Sequence, residues 1–155
     1  METGKKAPDF SLADQSGKQH SLADYAGQYL VIYFYPKDNT PGCTKESCTF
    51  RDNMSEFQAL NCSVLGVSAD SAASHEKFIA KYDLPFALLV DSEKEMLNAY
   101  QAYGEKKNYG KTYMGIIRST AIIGPDGTLL QHWPTIRGAE EHPLKVLEAL
   151  KELQA

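Results

Sequence analysis

Apolar positions fall along this chain in blocks, and the period changes from block to block. Tyr29-Leu30-Val31-Ile32-Tyr33-Phe34-Tyr35 is a nearly continuous β-branched and aromatic run that ends at Pro36. Such a run is what a central strand buried on both faces requires. From about Cys43 to Leu60 the period becomes helical, with Phe50, Met54, Phe57 and Leu60 at i, i+4, i+7 and i+10. Ser63 to Ser68 reads as a second buried strand. Ser71 to Tyr82 reads as a helix with Phe78 and Ile79 inward. Phe86 to Val90 is a third strand, followed by a short helix near Glu93 to Tyr100. Ile116 to Ile123 and Thr128 to Trp133 flank the turn Gly124-Pro125-Asp126-Gly127 and predict a hairpin. The last helix begins near Pro143, where a missing N–H does no harm. It is expected to turn Leu144, Leu147, Leu150 and Leu153 to the core. Near the start, Phe10 to Ala13 and Lys18 to Leu22 bracket Asp14-Gln15-Ser16-Gly17 and read as a small N-terminal hairpin. Gly104 to Thr112, with Lys106, Lys107 and Lys111, reads as a polar surface loop.

Strands alternating with helices predict an α/β domain in three layers, a central mixed β-sheet flanked by helices. The 155 residues suit one domain spanning 1–155. With 16 Lys+Arg against 20 Asp+Glu, the net charge of −4 argues against nucleic acid held on a basic surface. A hydrophobic content of 43% excludes disorder. No apolar run approaches the roughly 20 residues of a membrane span. Met1 to Asp9 lacks the positive-then-apolar pattern of a signal peptide. The expectation is a cytoplasmic protein with no membrane association.

Three cysteines, Cys43, Cys48 and Cys62, are too few to staple a chain of this length. Cys43 follows a buried strand and a tight loop, and falls at or near a helix start. Unpaired N–H groups and the positive end of the helix dipole favour a thiolate there. The alternative is a small, buried, apolar cysteine. Cys48 lies five residues on. In an intact helix that spacing separates the two Cα atoms by roughly 8.6 Å on divergent faces, beyond the roughly 7 Å limit of a disulfide. The pair can bond only if the first turns unwind. Cys62 reads as buried and inert. No Cys-x-x-Cys occurs, and His20, His75, His132 and His142 are scattered singly. Neither a metal nor a cofactor is expected, and the histidines read as surface or capping residues.

Pro36-x-x-x-Thr40-x-x-Cys43, within Tyr35-Pro36-Lys37-Asp38-Asn39-Thr40-Pro41-Gly42-Cys43-Thr44, resembles the peroxiredoxin active-site motif. With Cys48 at plus five, the string is similar to the bacterioferritin comigratory protein, or peroxiredoxin Q, subfamily. The likeness extends from Ala7-Pro8-Asp9-Phe10 to Arg118-Ser119-Thr120. It implies a thioredoxin-like fold and thiol-dependent reduction of hydrogen peroxide and organic hydroperoxides. It also implies roles for particular residues. Cys43 is the peroxidatic thiol and Cys48 the resolving one. Thr40, Gly42, Cys43 and Arg118 would bind the peroxide, and Pro36 would shield the sulfur. Glu46 would either hold the arginine or only favour the helix dipole. Without the resemblance, Thr40 reads as a loop or capping residue, Arg118 as a strand-end ion-pair partner and Pro36 as a strand terminator. The family's chemistry leads through a sulfenic acid at Cys43 to a Cys43–Cys48 disulfide. Thioredoxin, with glutaredoxin as the alternative, would reduce it, and the subgroup is often monomeric. A non-enzymatic peroxide-sensing or partner-binding thiol protein on the same fold is the competing reading; Thr40 and Arg118 favour turnover.

Overall fold

The structure, a computed structural model, describes residues 1–155 apart from the side chain of Asn108. Five strands form the central sheet in the order β5 (Leu88–Val90), β4 (Cys62–Ser68), β3 (Tyr29–Phe34), β8 (Ser119–Ile123) and β9 (Leu129–Trp133). β3 runs parallel to β4 and antiparallel to β8, so the sheet is mixed, as expected. The alternation of β3 divides the core in two. Leu30, Ile32 and Phe34 join one apolar cluster with Leu65, Val67, Met96, Leu97 and Tyr100. Val31, Tyr33 and Tyr35 join the other, which holds Cys43, Phe50, Phe57, Phe78, Val146, Leu147 and Leu150. One strand with successive side chains on opposite faces therefore nucleates both layers.

The second face is covered by α1 (Pro41–Asp52), α2 (Met54–Ala59), α3 (Ala72–Tyr82) and α5 (His142–Gln154). On the first face lies α4 (Glu95–Ala99). The N-terminal hairpin is present as β1 (Ser11–Ala13) paired with β2 (Gln19–Ser21). Gly66 faces Tyr33 in the β3–β4 register. A Cβ built there would lie 2.6 Å from Leu88 Cδ2 and 2.9 Å from Tyr33 Cζ, so the tyrosine ring occupies the space of the missing side chain.

Five expectations are corrected. The helix expected over 43–60 begins earlier, at Pro41, and is two helices, broken at Asn53, where φ −114° and ψ 11° leave the helical region. The expected strand over 116–123 is interrupted at Ile117 and Arg118: β7 (Lys111–Ile116) ends and β8 begins. The expected loop at 104–112 is a hairpin instead, β6 (Tyr103–Asn108) on β7. It escaped detection because β7 is exposed over most of its length and so lacks core-facing alternation. Its turn is chemically legible in retrospect: Tyr109 and Gly110 both have positive φ, 51° and 77°, as a two-residue hairpin turn requires. In α5, Leu144 and Leu153 are exposed, and the inward face is Pro143, Val146, Leu147 and Leu150. Spacing by threes rotates about 60° per step, so four such leucines span half the helix; i, i+3, i+4, i+7 does not drift. Finally, His20, His75 and His142 are buried rather than superficial.

Candidate active site

β3 ends beside the start of β8, because the two are antiparallel and Phe34 pairs with Ser119. The loop after β3 leads into α1, and Arg118 immediately precedes β8. This topology brings together two residues 75 positions apart. Thr40 is the N-cap of α1 with extended backbone (φ −92°, ψ 155°), and Pro41 takes the first turn. The first intrahelical bond runs from Thr44 N–H to the Thr40 carbonyl, 2.8 Å. Thr40 gives no side-chain cap, so it leaves the N–H groups of Gly42 and Cys43 uncapped at the positive end of the helix. Its hydroxyl donates instead to the Lys37 carbonyl at 2.8 Å.

Cys43 is 1% exposed, with its sulfur in the apolar cluster of the second face. Arg118 Nη2 donates to Cys43 Sγ at 3.1 Å, and Nη1 to Glu46 Oε1 at 2.7 Å. One guanidinium fork thus bridges the thiol and the carboxylate one turn further along α1. A Cβ at Gly42 would stand 3.2 Å from Arg118 Nη2. A side chain there would crowd the guanidinium by a few tenths of an ångström. Burial weakens the Arg118 charge, but Glu46 and Cys43 together hold its pKa above the ordinary arginine value. Glu46 is fully buried, and burial pushes its carboxyl up to about 7 even against the opposing pull of Arg118. Its Oε2 has no hydrogen-bond partner. The two directions agree: the pair is strongly attractive, yet the site is dry enough to penalise a second anion beside the thiol.

Cys48 is half-buried in the same helix, and all three cysteines are free thiols. Burial raises the Cys62 thiol to about 12, which suits an inert core residue. Pro36 is half-buried at the end of β3. The structure therefore brings Cys43, Gly42, Glu46 and Arg118 together, with Thr40 at the cap. Cys48 stays further along the same helix.

Sequence reading missed Asp38 and His75. Asp38 lies in the loop between β3 and α1, yet it is 7% exposed and accepts from Tyr35 and Ser74. His75 packs against it from α3. A signal for His75 did exist: it shares the i, i+3, i+4, i+7 stripe of Phe78, Ile79 and Tyr82. Asp38 carried none.

The sheet order and its flanking helices are those of a thioredoxin-like fold, and the class is that of the thiol-dependent peroxidases, with the buried thiol at the start of α1 as the candidate site. The AhpC/TSA family model matches residues 3–132. Peroxiredoxin Bcp of Bacillus subtilis is 46% identical over 153 residues, covering 99% of this chain and 97% of that protein. Peroxiredoxin Bcp of Escherichia coli is 40% identical over 152 residues, covering 98% and 97%. Among solved structures, Xylella fastidiosa PrxQ superposes with a TM-score of 0.94 at 36% identity, over 100% of this chain and 98% of that one. The Xanthomonas campestris bacterioferritin comigratory protein, studied for alkyl peroxide reduction, gives 0.92 at 38%, over 99% and 100%. The chain belongs to the AhpC/TSA family, in its Bcp and peroxiredoxin Q branch, as the motif around Cys43 implied. Among the described residues, no helix is long and apolar enough to cross a membrane.

Proposed function

We propose that Cys43 carries the peroxidase chemistry of this chain, and that hydrogen peroxide and organic hydroperoxides are its substrates. The carrying observation is the 3.1 Å contact from Arg118 Nη2 to Cys43 Sγ at the uncapped start of α1. The guanidinium favours a thiolate. That thiolate attacks one peroxide oxygen; the O–O bond breaks, and the leaving oxygen departs as alkoxide or hydroxide and takes up a proton. Charge develops on that oxygen. The donors aimed at it are Arg118 and the N–H groups of Gly42 and Cys43, already oriented before reaction. The Thr40 oxygen, which donates its own proton to Lys37 O, keeps lone pairs to accept the peroxide O–H. Pro36 lacks an N–H and shields without competing.

The product is a sulfenic acid at Cys43. The Cys48 thiol attacks that sulfur and releases water, giving a Cys43–Cys48 disulfide. Since both cysteines lie in α1, its first turns must unwind for this step. A thiol reductant completes the cycle; thioredoxin is the one we propose, with glutaredoxin as the alternative. The reading takes 1–155 as one peroxiredoxin domain, monomeric and cytoplasmic.

The test is peroxide consumption coupled to thioredoxin and its reductase, with disulfide mapping after one equivalent of peroxide. A Cys43–Cys48 bond is expected, and Cys43→Ser is expected to abolish turnover. Full activity in that variant would falsify the reading. A Cys43–Cys62 bond, or undiminished thioredoxin turnover in Cys48→Ser, would remove Cys48 from the mechanism.

A further inference from the structure

Between β3 and α1, a surface loop carries a buried aspartate whose partners, Tyr35 apart, lie elsewhere in the fold. Asp38 Oδ1 accepts from Tyr35 Oη at 2.5 Å, and Oδ2 accepts from Ser74 Oγ at 2.8 Å. His75 Nδ1 stands 2.6 Å from the same Oδ2. The Asp38 N–H donates to Asp70 Oδ2 at 2.8 Å, which also accepts from Ser68 Oγ at 2.8 Å. On its far side, His75 Nε2 is 2.9 Å from the Leu89 carbonyl oxygen. His75 is fully buried.

These contacts fix the proton count. A carbonyl only accepts, so Nε2 carries hydrogen. Were Nδ1 bare, its lone pair would face a carboxylate oxygen at 2.6 Å. A proton therefore lies between Nδ1 and Oδ2. Tyr35 and Ser74 donate to the same carboxylate, so its two oxygens are held by three side chains. The shared hydrogen satisfies both buried groups without water.

A second strap reinforces the first. Tyr82 Oη, at the end of α3, donates to Asn39 Oδ1 at 3.1 Å, and Asn39 is held at φ 60°. Beyond the reacting turns, Arg51 Nη1 donates to the Tyr82 carbonyl at 2.7 Å. α3 thus grips the chain on both sides of the segment that must unwind for Cys43 to reach Cys48.

We propose that His75 and Asp38 form a positioning pair for peroxide reduction, in which the His75–Asp38 hydrogen bond pins the β3–α1 loop to α3 and so holds Thr40 and the helix start in register with Arg118. The pair touches neither thiol. It acts through the loop and rests on the reading of Cys43 as the attacking thiol.

The experiment measures the second-order rate of Cys43 oxidation by hydrogen peroxide, followed by Trp133 fluorescence, in Asp38→Ala and Asp38→Asn. Long-range proton–nitrogen correlation spectra of the His75 ring accompany it. Misplaced catalytic groups lose rate steeply, so Asp38→Ala is expected to oxidise about tenfold more slowly. Asp38→Asn should recover most of that loss, because its amide N–H can donate to a neutral Nδ1 while its oxygen still accepts from Tyr35. In the native protein a strongly deshielded hydrogen shared between Nδ1 and Asp38 is expected; in Asp38→Asn that signal is expected to be lost, with hydrogen on Nε2 alone. A native spectrum without that shared hydrogen would overturn the pair as described. So would native-rate oxidation in Asp38→Ala, or equal losses in both variants. Cys43→Ser, measured in parallel, tests the underlying thiol assignment independently, since its His75 spectrum is expected to be unchanged whether or not peroxide is consumed.

Discussion

Replacing Arg118 with methionine isolates the contribution of its charge, because the stem keeps a similar length. In the native protein Nη2 lies 3.1 Å from Cys43 Sγ and Nη1 2.7 Å from Glu46 Oε1. Two unit charges about 3 Å apart interact by about 5 kcal/mol at an effective dielectric near 20, a ceiling lowered by desolvation of the guanidinium. Loss of one preorganised donor to a developing oxyanion commonly costs about 10²–10³ in rate, or about 3–4 kcal/mol, which fits under that ceiling. The expected result for Arg118→Met is therefore a fall of about 10²–10³ in the rate of Cys43 oxidation, read by stopped-flow fluorescence. Stability should respond differently. Glu46 sits at about 7 in the folded state, above its ordinary 4.5. A raised carboxylate binds its proton more tightly when folded than when unfolded, so stability falls as pH rises from the unfolded value through the folded one. Removing Arg118 moves the folded value higher still. The variant should lose little stability near pH 6, where Glu46 takes up a proton, and more near pH 8. Urea denaturation at both pH values checks this. Oxidation within about threefold of native would refute the role of the guanidinium as a transition-state donor. A stability loss equal at both pH values would refute the account of Glu46.

Three further outcomes concern His142, Gly66 and the oxidation state of Cys43. Burial, helped by Lys145 and Arg118, lowers His142 to about 4, and its Nε2 contacts Thr120 Oγ1 at 3.1 Å. Because the folded value lies below the unfolded 6.5, His142 is expected to withdraw stability as pH falls from 6.5 toward 4; His142→Gln should flatten that stretch of the urea-midpoint profile. Gly66→Ala must displace Leu88 or the Tyr33 ring, at about 1–3 kcal/mol for overpacking. It should also loosen the 2.8 Å bond between Tyr33 and Ser47 of α1, seen as faster amide exchange in that helix; unaltered stability would contradict the packing described. Cys48 lies only five residues beyond Cys43 in α1, so capture of a sulfenic acid at Cys43 needs no second molecule. Peroxide titration followed by mass spectrometry should show little sulfinic acid at Cys43; ready accumulation at low peroxide would count against it.

The parts of the fold that were legible in the sequence are those where burial writes a period. β3 announced itself because both its faces are covered, and α3 because Phe78 returns at helical spacing. The β6–β7 ribbon was illegible for the opposite reason: its exposed positions follow no apolar alternation, and its pairing is set by a two-residue turn. The interruption at Ile117 and Arg118 was hidden inside an otherwise continuous apolar stretch. At the site, Cys43, Thr40 and Arg118 could be picked out by motif, and spacing alone showed that Cys43 and Cys48 are too far apart in a helix. The Asp38–His75 contact joins a loop to a helix 37 residues away, and nothing local to either residue encodes such a meeting.

The burial of Cys43 gives the oxidation step a mechanical side. Its sulfur sits at 1% exposure in the same apolar cluster as Val31, Tyr33, Phe50 and Phe57, at a density where one additional heavy atom is felt. Conversion to a sulfenic acid adds an oxygen and a polar O–H to that space. The reaction product is thus a worse fit for the closed helix than the reactant was. On the proposed chemistry, energy from the peroxide bond enters the fold as crowding at one atom, and the turn carrying that atom is the one that must open before Cys48 can reach it. In the proposed cycle, the signal that oxidation has happened is the size of the sulfur's new substituent.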